Sequence, residues 1–312
     1  MLLSQKGNRM PTQVIVGRGA TASATAALLA ESGDRVRMVS RSGAGPEHPN
    51  IERIALDALD TAALTAIAEH AETVFNMAMP AYHTWPEAVP PLFGSIRAAA
   101  ERTGANYVML SNLYGYGPVD GPVTERSPLA AMGPKGQVRA RMWREAEEAH
   151  RAGRVRVAEV RASQFIGAGA ISVFSLLAQP KILAGQLALV PQALDVPHAY
   201  TAVGDAAAAA VAVARDERAW GRAWHAPVIT ATVRELAGSL AAVAGAPEPR
   251  LELMSDRELT LLGLTDPFWI ELFETYHMSH ATFTVDDSAI RDTFGLKASD
   301  PDEVFAEVVR AS

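Results

Sequence analysis

The 312-residue chain carries 28 Lys and Arg against 35 Asp and Glu, a formal net charge of −7, with 49% hydrophobic and 20% charged residues. That balance suits a globular protein with a large core, and it excludes an electrostatic nucleic-acid surface. The absence of cysteine rules out disulfides, iron–sulfur ligation and a thiol nucleophile, and no apolar run is long enough for a membrane span or a signal peptide. A cytoplasmic protein is therefore expected, with a small molecule rather than a membrane or a nucleic acid as its partner.

Met10-Pro11 directly precedes the first apolar run, so Met10 is a candidate start and residues 1–9 a candidate leader. Val14-Ile15-Val16 then reads as a buried strand, Gly17 and Gly19 as a tight turn, and Thr21 to Glu31 as an alanine-rich helix. This is G-x-G-x-x-A in the strand–turn–helix setting that gives it meaning. Gly17 permits the turn, Gly19 admits a pyrophosphate, and Ala22 lets the helix lie against the strand. Thr21 stands in the first turn, where free N–H groups and the positive dipole end face the phosphates. A second strand, Arg35–Ser40, selects the cofactor. An NAD site ends this strand with an acid, whereas here it ends Ser40-Arg41-Ser42, and Asp34 lies at its other end. Arg41 can fork onto a 2′-phosphate between two serine hydroxyls, and Arg18 adds charge nearby, so NADPH is the expected cofactor.

A third strand at Ile51–Ala55 leads to Asp57, a candidate acceptor for the adenine amino group. A fourth at Thr73–Asn76 leads to Ala78 and Met79, where the backbone can pass the ribose closely, and then to Tyr82, His83 and Trp85, which could wall a pocket. A helix over Ala88–Arg102 and a fifth strand over Asn106–Leu110 complete five alternations. They predict an α/β protein, a Rossmann-type doubly wound parallel sheet with ligands at the carboxyl ends of its strands. From residue 164 on, short apolar segments (Leu187–Val190, His225–Ile229, Leu251–Met254) lie between helices such as Asp205–Arg215 and Val233–Val243. They predict a dinucleotide domain over 10–163 and a smaller substrate-binding region over 164–312, interleaved with the end of the sheet. The aromatic cluster Phe268, Trp269, Phe273, Tyr276 and His277 suits a flat, bulky substrate. His277 and His280 have no metal-ligand partners in sequence, and no metal is expected.

Ser111-Asn112-Leu113-Tyr114-Gly115-Tyr116-Gly117-Pro118, together with the N-terminal glycine motif, resembles the extended short-chain dehydrogenase/reductases, which include the NAD(P)-dependent epimerases and dehydratases. Val160 to Gly167 is similar to that family's sixth strand, which here places Ala162 and Ser163 at the cofactor. Val196-Pro197-His198 through Asp205 is similar to the segment where a valine–aspartate pair opens a helix. The resemblance implies a Ser-Tyr-Lys set whose tyrosine phenol protonates the carbonyl that receives hydride. Where Tyr-x-x-x-Lys should stand, the chain reads Gly133-Pro134-Lys135-Gly136-Gln137-Val138-Arg139-Ala140-Arg141. One register sets Lys135 and Arg139 in the two positions, the other Gln137 and Arg141, and neither contains a tyrosine. Asn112 takes the serine's place, with Ser111 beside it.

The helix Gly136–His150 offers Arg141–Glu145 and Arg144–Glu148 pairs one turn apart, which reads as solvated surface. Helices like it and Ala88–Arg102 are dimer surfaces in the family, so a homodimer is one expectation. The reading that results is NADPH-dependent reduction of a ketone on a bulky, aromatic, polyketide-type molecule. Ketoreductases tailoring angucyclinones are among such atypical members. Ser111, Asn112, Tyr114 and Lys135 are the catalytic candidates, Ser111 and Lys135 also touching the cofactor. The proton source is left among Lys135, Tyr114, a water held by Ser111 or Asn112, and an acidic phenol on the substrate. Two alternatives stand beside it: a non-catalytic NADP(H)-binding sensor or scaffold, and a nucleotide-sugar epimerase or dehydratase.

Overall fold

A computed structural model describes residues 10–311; the candidate leader lies outside them. The first half alternates as expected: β1 (Thr12–Val16), α1 (Ala20–Glu31), β2 (Arg35–Ser40), β3 (Ile51–Ala55), α2 (Thr61–Ala68), β4 (Thr73–Asn76), α3 (Trp85–Thr103), β5 (Asn106–Asn112), α4 (Pro134–Arg151) and β6 (Val157–Ala162). The second half holds β7 (Gln164–Ile166), α5 (Gln179–Leu183), β8 (Leu187–Val190), β9 (His198–Ala202), α6 (Val203–Arg215), β10 (Arg222–His225), β11 (Ile229–Ala231), α7 (Val233–Ala244) and β12 (Arg250–Leu253). It ends with α8 (Asp256–Gly263), α9 (Pro267–Ile270), α10 (Tyr276–Ser279), α11 (Ser288–Phe294) and α12 (Pro301–Ala311).

Seven parallel strands form the main sheet in the order β10-β6-β5-β4-β1-β2-β3. Because both faces are covered, the central strands β1 and β4 are buried along their whole length, whereas the edge strand β3 exposes Glu52 and Arg53. Val14, Val74 and Tyr107 pack under α2, α3 and α4, while Ile15, Phe75 and Val108 pack under α1 and α6. Alanines make the second face tight: Ala22 and Ala26 of α1 meet Ala206, Ala209 and Ala210 of α6 in one core.

The segment His225–Ile229, expected as one apolar stretch, is instead divided between β10 and β11, which belong to different sheets. Helix α6 and strand β10 therefore serve the main sheet although they follow residue 164. The remaining second-half strands form two small sheets, β11-β9-β7 and β12-β8, over a separate core with α5, α7 and α12. No helix among the described residues is long and apolar enough to cross a membrane.

Candidate active site

The sequence demands a very close approach at the end of β1. Gly17 has φ +136, and a Cβ there would lie 2.6 Å from the carbonyl oxygen of Met77, which follows β4. Its N–H donates to Val39 O of β2 at 2.9 Å. Gly19 is the N-cap of α1, has ordinary negative φ, and faces open space with nothing within 4 Å of a built Cβ. No side chain caps this helix, so its first N–H groups are free to receive an anion.

Around this point the strand ends enclose a cavity of about 460 Å³. Of the residues singled out in the sequence, Gly19, Thr21 and Ala22 line it from the glycine turn, and Met79 from the loop after β4. Ser111, Asn112 and Tyr114 line it from the end of β5, and Ala162 and Ser163 from the end of β6. Gly17, Arg18, Ser40, Arg41, Ser42, Asp57 and Ala78 stand outside its wall. Arg41 and Ser42 are exposed past the end of β2, and neither Arg18 nor Arg41 has an ion pair among the described residues. Asp57 accepts the N–H of Leu59 at 3.0 Å, and Asp34 is tied to Gln13 and Arg215 away from the strand end. Asn112 Oδ1 accepts the N–H of Tyr114 at 3.2 Å, so this side chain shapes the turn that presents the tyrosine. Ser163 Oγ donates to Ala199 O at 2.6 Å.

Lys135 differs from the expectation that it serves cofactor and chemistry in the cavity. It does not line the wall, it is 1% exposed, and it is ion-paired to Glu271 and Glu274. Those partners lie 136 and 139 residues away, and no local pattern announces them. Arg139, one turn on, does line the cavity. Its guanidinium lies 4.6 Å over Trp85 and 5.4 Å over Phe93, and Nη2 reaches Met79 Sδ at 3.2 Å. Nε and Nη1 are buried without a partner, and burial pushes its pKa down to about 10.

Tyr82 enters the wall beside Tyr114, their hydroxyls 3.1 Å apart. Burial raises both phenols above their usual range, Tyr82 strongly; for Tyr114 the nearby Arg139 and Lys135 charges work against that shift. The rest of the wall is largely apolar, with Trp85, Phe165, Val173, Leu272 and Met278 among its residues. Gln164, Ser172 and Gln192 also line it, single polar residues between apolar ones that carry no motif of their own. Of the C-terminal aromatic cluster only Phe268 lines the cavity; Trp269, Phe273 and Tyr276 pack behind it around Met254, Leu259 and Leu272. On α4 the Arg141–Glu145 pair forms at 2.7 Å, but Arg144 reaches back to Leu129 O instead of Glu148.

Known proteins carry the same architecture. An epimerase from the methanogen Methanothermobacter thermautotrophicus superposes with a TM-score of 0.78 at 16% identity, over 97% of this chain and 92% of its own. A UDP-N-acetylglucosamine 4-epimerase from Methanobrevibacter ruminantium, solved with UDP-N-acetylmuramic acid, gives 0.77 at 15% identity over 97% and 98%. A UDP-glucose 4-epimerase from Brucella ovis, solved with NAD, gives 0.74 at 18% identity over 96% and 98%. At these identities the likeness is one of fold. No curated protein matches the sequence. Residues 14–224, more than half of the chain, match the model of one family, and the chain thus belongs to the NAD dependent epimerase/dehydratase family.

Proposed function

We propose that this protein is an NADPH-dependent reductase of a ketone on a bulky, aromatic small molecule. The observation that carries the reading is the cavity wall: aromatic and aliphatic, with Arg139 its one charged side chain among the described residues. A nucleotide sugar brings a diphosphate, which needs several cationic or N–H donors at the substrate end. Beyond Arg139 this wall supplies no cation, and its side-chain amide N–H donors are the scattered ones of Asn112, Gln164 and Gln192, although the family and its structural likenesses favour an epimerase on descent alone.

A nicotinamide cofactor fits the residues present. The open space before Gly19 and the uncapped start of α1 suit a pyrophosphate, Arg41 and Ser42 suit a 2′-phosphate, and Asp57 the adenine end. Arg139 holds two buried donor nitrogens, Nε and Nη1, with nothing to receive them, and cofactor hydroxyls would supply the acceptors. When bound, the cofactor supplies the hydride.

What remains for the chain is to exclude water, orient the ketone and arrange a proton. The family's acid is a tyrosine with a lowered pKa, and here the two phenols at the cavity are shifted the other way. Lys135 is locked by two carboxylates. The proton therefore comes from the substrate's own acidic phenol or from a water beside Ser111 and Asn112. Incubation with NADPH and a panel of aromatic ketones, set beside NAD with UDP-hexoses, tests the reading. Oxidation of NADPH with alcohol formed in equal amount supports it. Epimerised sugar, or tight NADPH binding with no ketone reduced, would replace it with the epimerase or the sensor. On an active ketone, Tyr114→Phe is expected to lower the single-turnover rate less than about tenfold, against the hundred- to ten-thousandfold loss of a positioned acid.

A further inference from the structure

The first turn of α4 ends in an arrangement that the proposed chemistry does not use. Lys135 Nζ is paired with Glu271 and, at 3.0 Å, with Glu274 Oε2. Glu274 Oε1 accepts the backbone N–H of Lys135 at 2.8 Å and of Gly136 at 3.2 Å, closing a helix whose own N-cap, Gly133, has no side chain to do so. A Cβ on Gly133 would lie 2.3 Å from Glu274, so the glycine makes room for the carboxylate. Both glutamates sit between α9 and α10, on the segment that brings Phe268, Leu272, Thr275 and Met278 to the cavity. Phe268 rests 5.1 Å from the Tyr82 ring, over which Lys135 Nζ lies at 4.9 Å.

We propose that Lys135, Glu271 and Glu274 form a buried ionic latch that holds residues 267–279 as the cover of the cavity. At one of the two positions where the resemblance could place a proton-donating tyrosine, this chain has a positioning residue that decides how tightly the apolar wall closes on its substrate. Only the nature of that substrate rests on the function proposed above; the latch is read from the chain itself. A charge buried at 1% exposure is costly to strand, so removing one partner should free the segment rather than leave it in place.

Hydrogen exchange of the full-length protein, with NADPH titrated in parallel, tests this without a known substrate. In Lys135→Met, amides of residues 268–278 should exchange about tenfold faster or more, while β1, β4 and β5 keep their protection and NADPH affinity changes less than about threefold. Lys135→Arg, which keeps the charge, should restore protection. Should Lys135→Met fail to fold, Glu271→Gln removes one carboxylate and should loosen the same amides to a smaller degree. With any ketone that is turned over, Lys135→Met should raise KM more than it lowers kcat. Unchanged exchange over 268–278, faster exchange spread evenly through the sheet, or no rescue by arginine would overturn the latch. A collapse of single-turnover reduction with KM unchanged would make Lys135 the acid and overturn it equally.

Discussion

Gly17 and Gly19 are two residues apart and answer to different constraints. At Gly17 the backbone has φ +136 and touches the Met77 carbonyl, so Gly17→Ala should destabilise the whole protein by about 1–3 kcal/mol through overpacking. At Gly19 the backbone is extended and the space in front is open. Gly19→Val should therefore leave the unfolding temperature nearly unchanged and abolish cofactor binding, because the valine fills the place of the pyrophosphate. Thermal unfolding and cofactor titration of both variants check the contrast. Arg41 is exposed and without an ion pair among the described residues. Charge-assisted hydrogen bonds contribute about 1.5–3 kcal/mol, so Arg41→Ala should weaken NADPH by about ten- to a hundredfold and leave NADH unchanged. Equal affinity of the unaltered protein for the two cofactors would remove that argument. Arg139 is a third kind of case. A buried cation whose pKa is lowered burdens the fold in full at neutral pH, and the burden lifts only as pH rises through about 10. Arg139→Met should thus stabilise the free protein by about 1–3 kcal/mol at pH 7 while weakening its hold on the cofactor. A variant that is less stable and still binds NADPH normally would show that the guanidinium serves packing alone.

Among the elements, α4 is placed by a glycine. A Cβ on Gly136 would lie 2.5 Å from the Tyr114 carbonyl oxygen and 2.4 Å from Ala131 Cβ. Gly136→Ala should push the first turn of α4 off the Tyr114 turn, at a cost of about 1–3 kcal/mol, and displace Lys135 and Arg139 together. Gly204, near the start of α6, has open space and makes a control in which alanine is neutral or slightly stabilising; chemical denaturation of the two variants measures the difference. The strands were the most legible part of the sequence. β2, β3 and β4 fall on the predicted residues because short β-branched runs bounded by Gly, Asp and Pro leave little choice of period or length. The glycine turn was legible for the same local reason. The Lys135 latch was not, because a single lysine before a helix looks solvated until the fold delivers two glutamates from far along the chain. The Phe268–Tyr276 cluster was legible as aromatic, but which ring faces the cavity depends on the exact winding of the very short helices α9 and α10 and of the turn between them. His225–Ile229 read as one stretch since apolar character does not say which of two sheets a residue will join.

At the scale of the molecule, the doubly wound sheet brings β1, β4, β5 and β6 to one edge, and the second half of the chain roofs that edge with residues 165–192 and 267–279. The wall at that edge is largely apolar, with Tyr82 and Tyr114 among its residues and Arg139 its one charged side chain among the described residues. In the function proposed above, hydride passes within this cavity from the cofactor to a ketone without a tyrosine in the family's position. The most direct measurement is product analysis after reaction with NADPH deuterated at the transferable position of its nicotinamide. Deuterium is expected on the carbon of the new alcohol, from one face only, with one NADP formed per alcohol. Label that stays on the nicotinamide in the presence of every aromatic ketone, or that appears in a sugar instead, would contradict it.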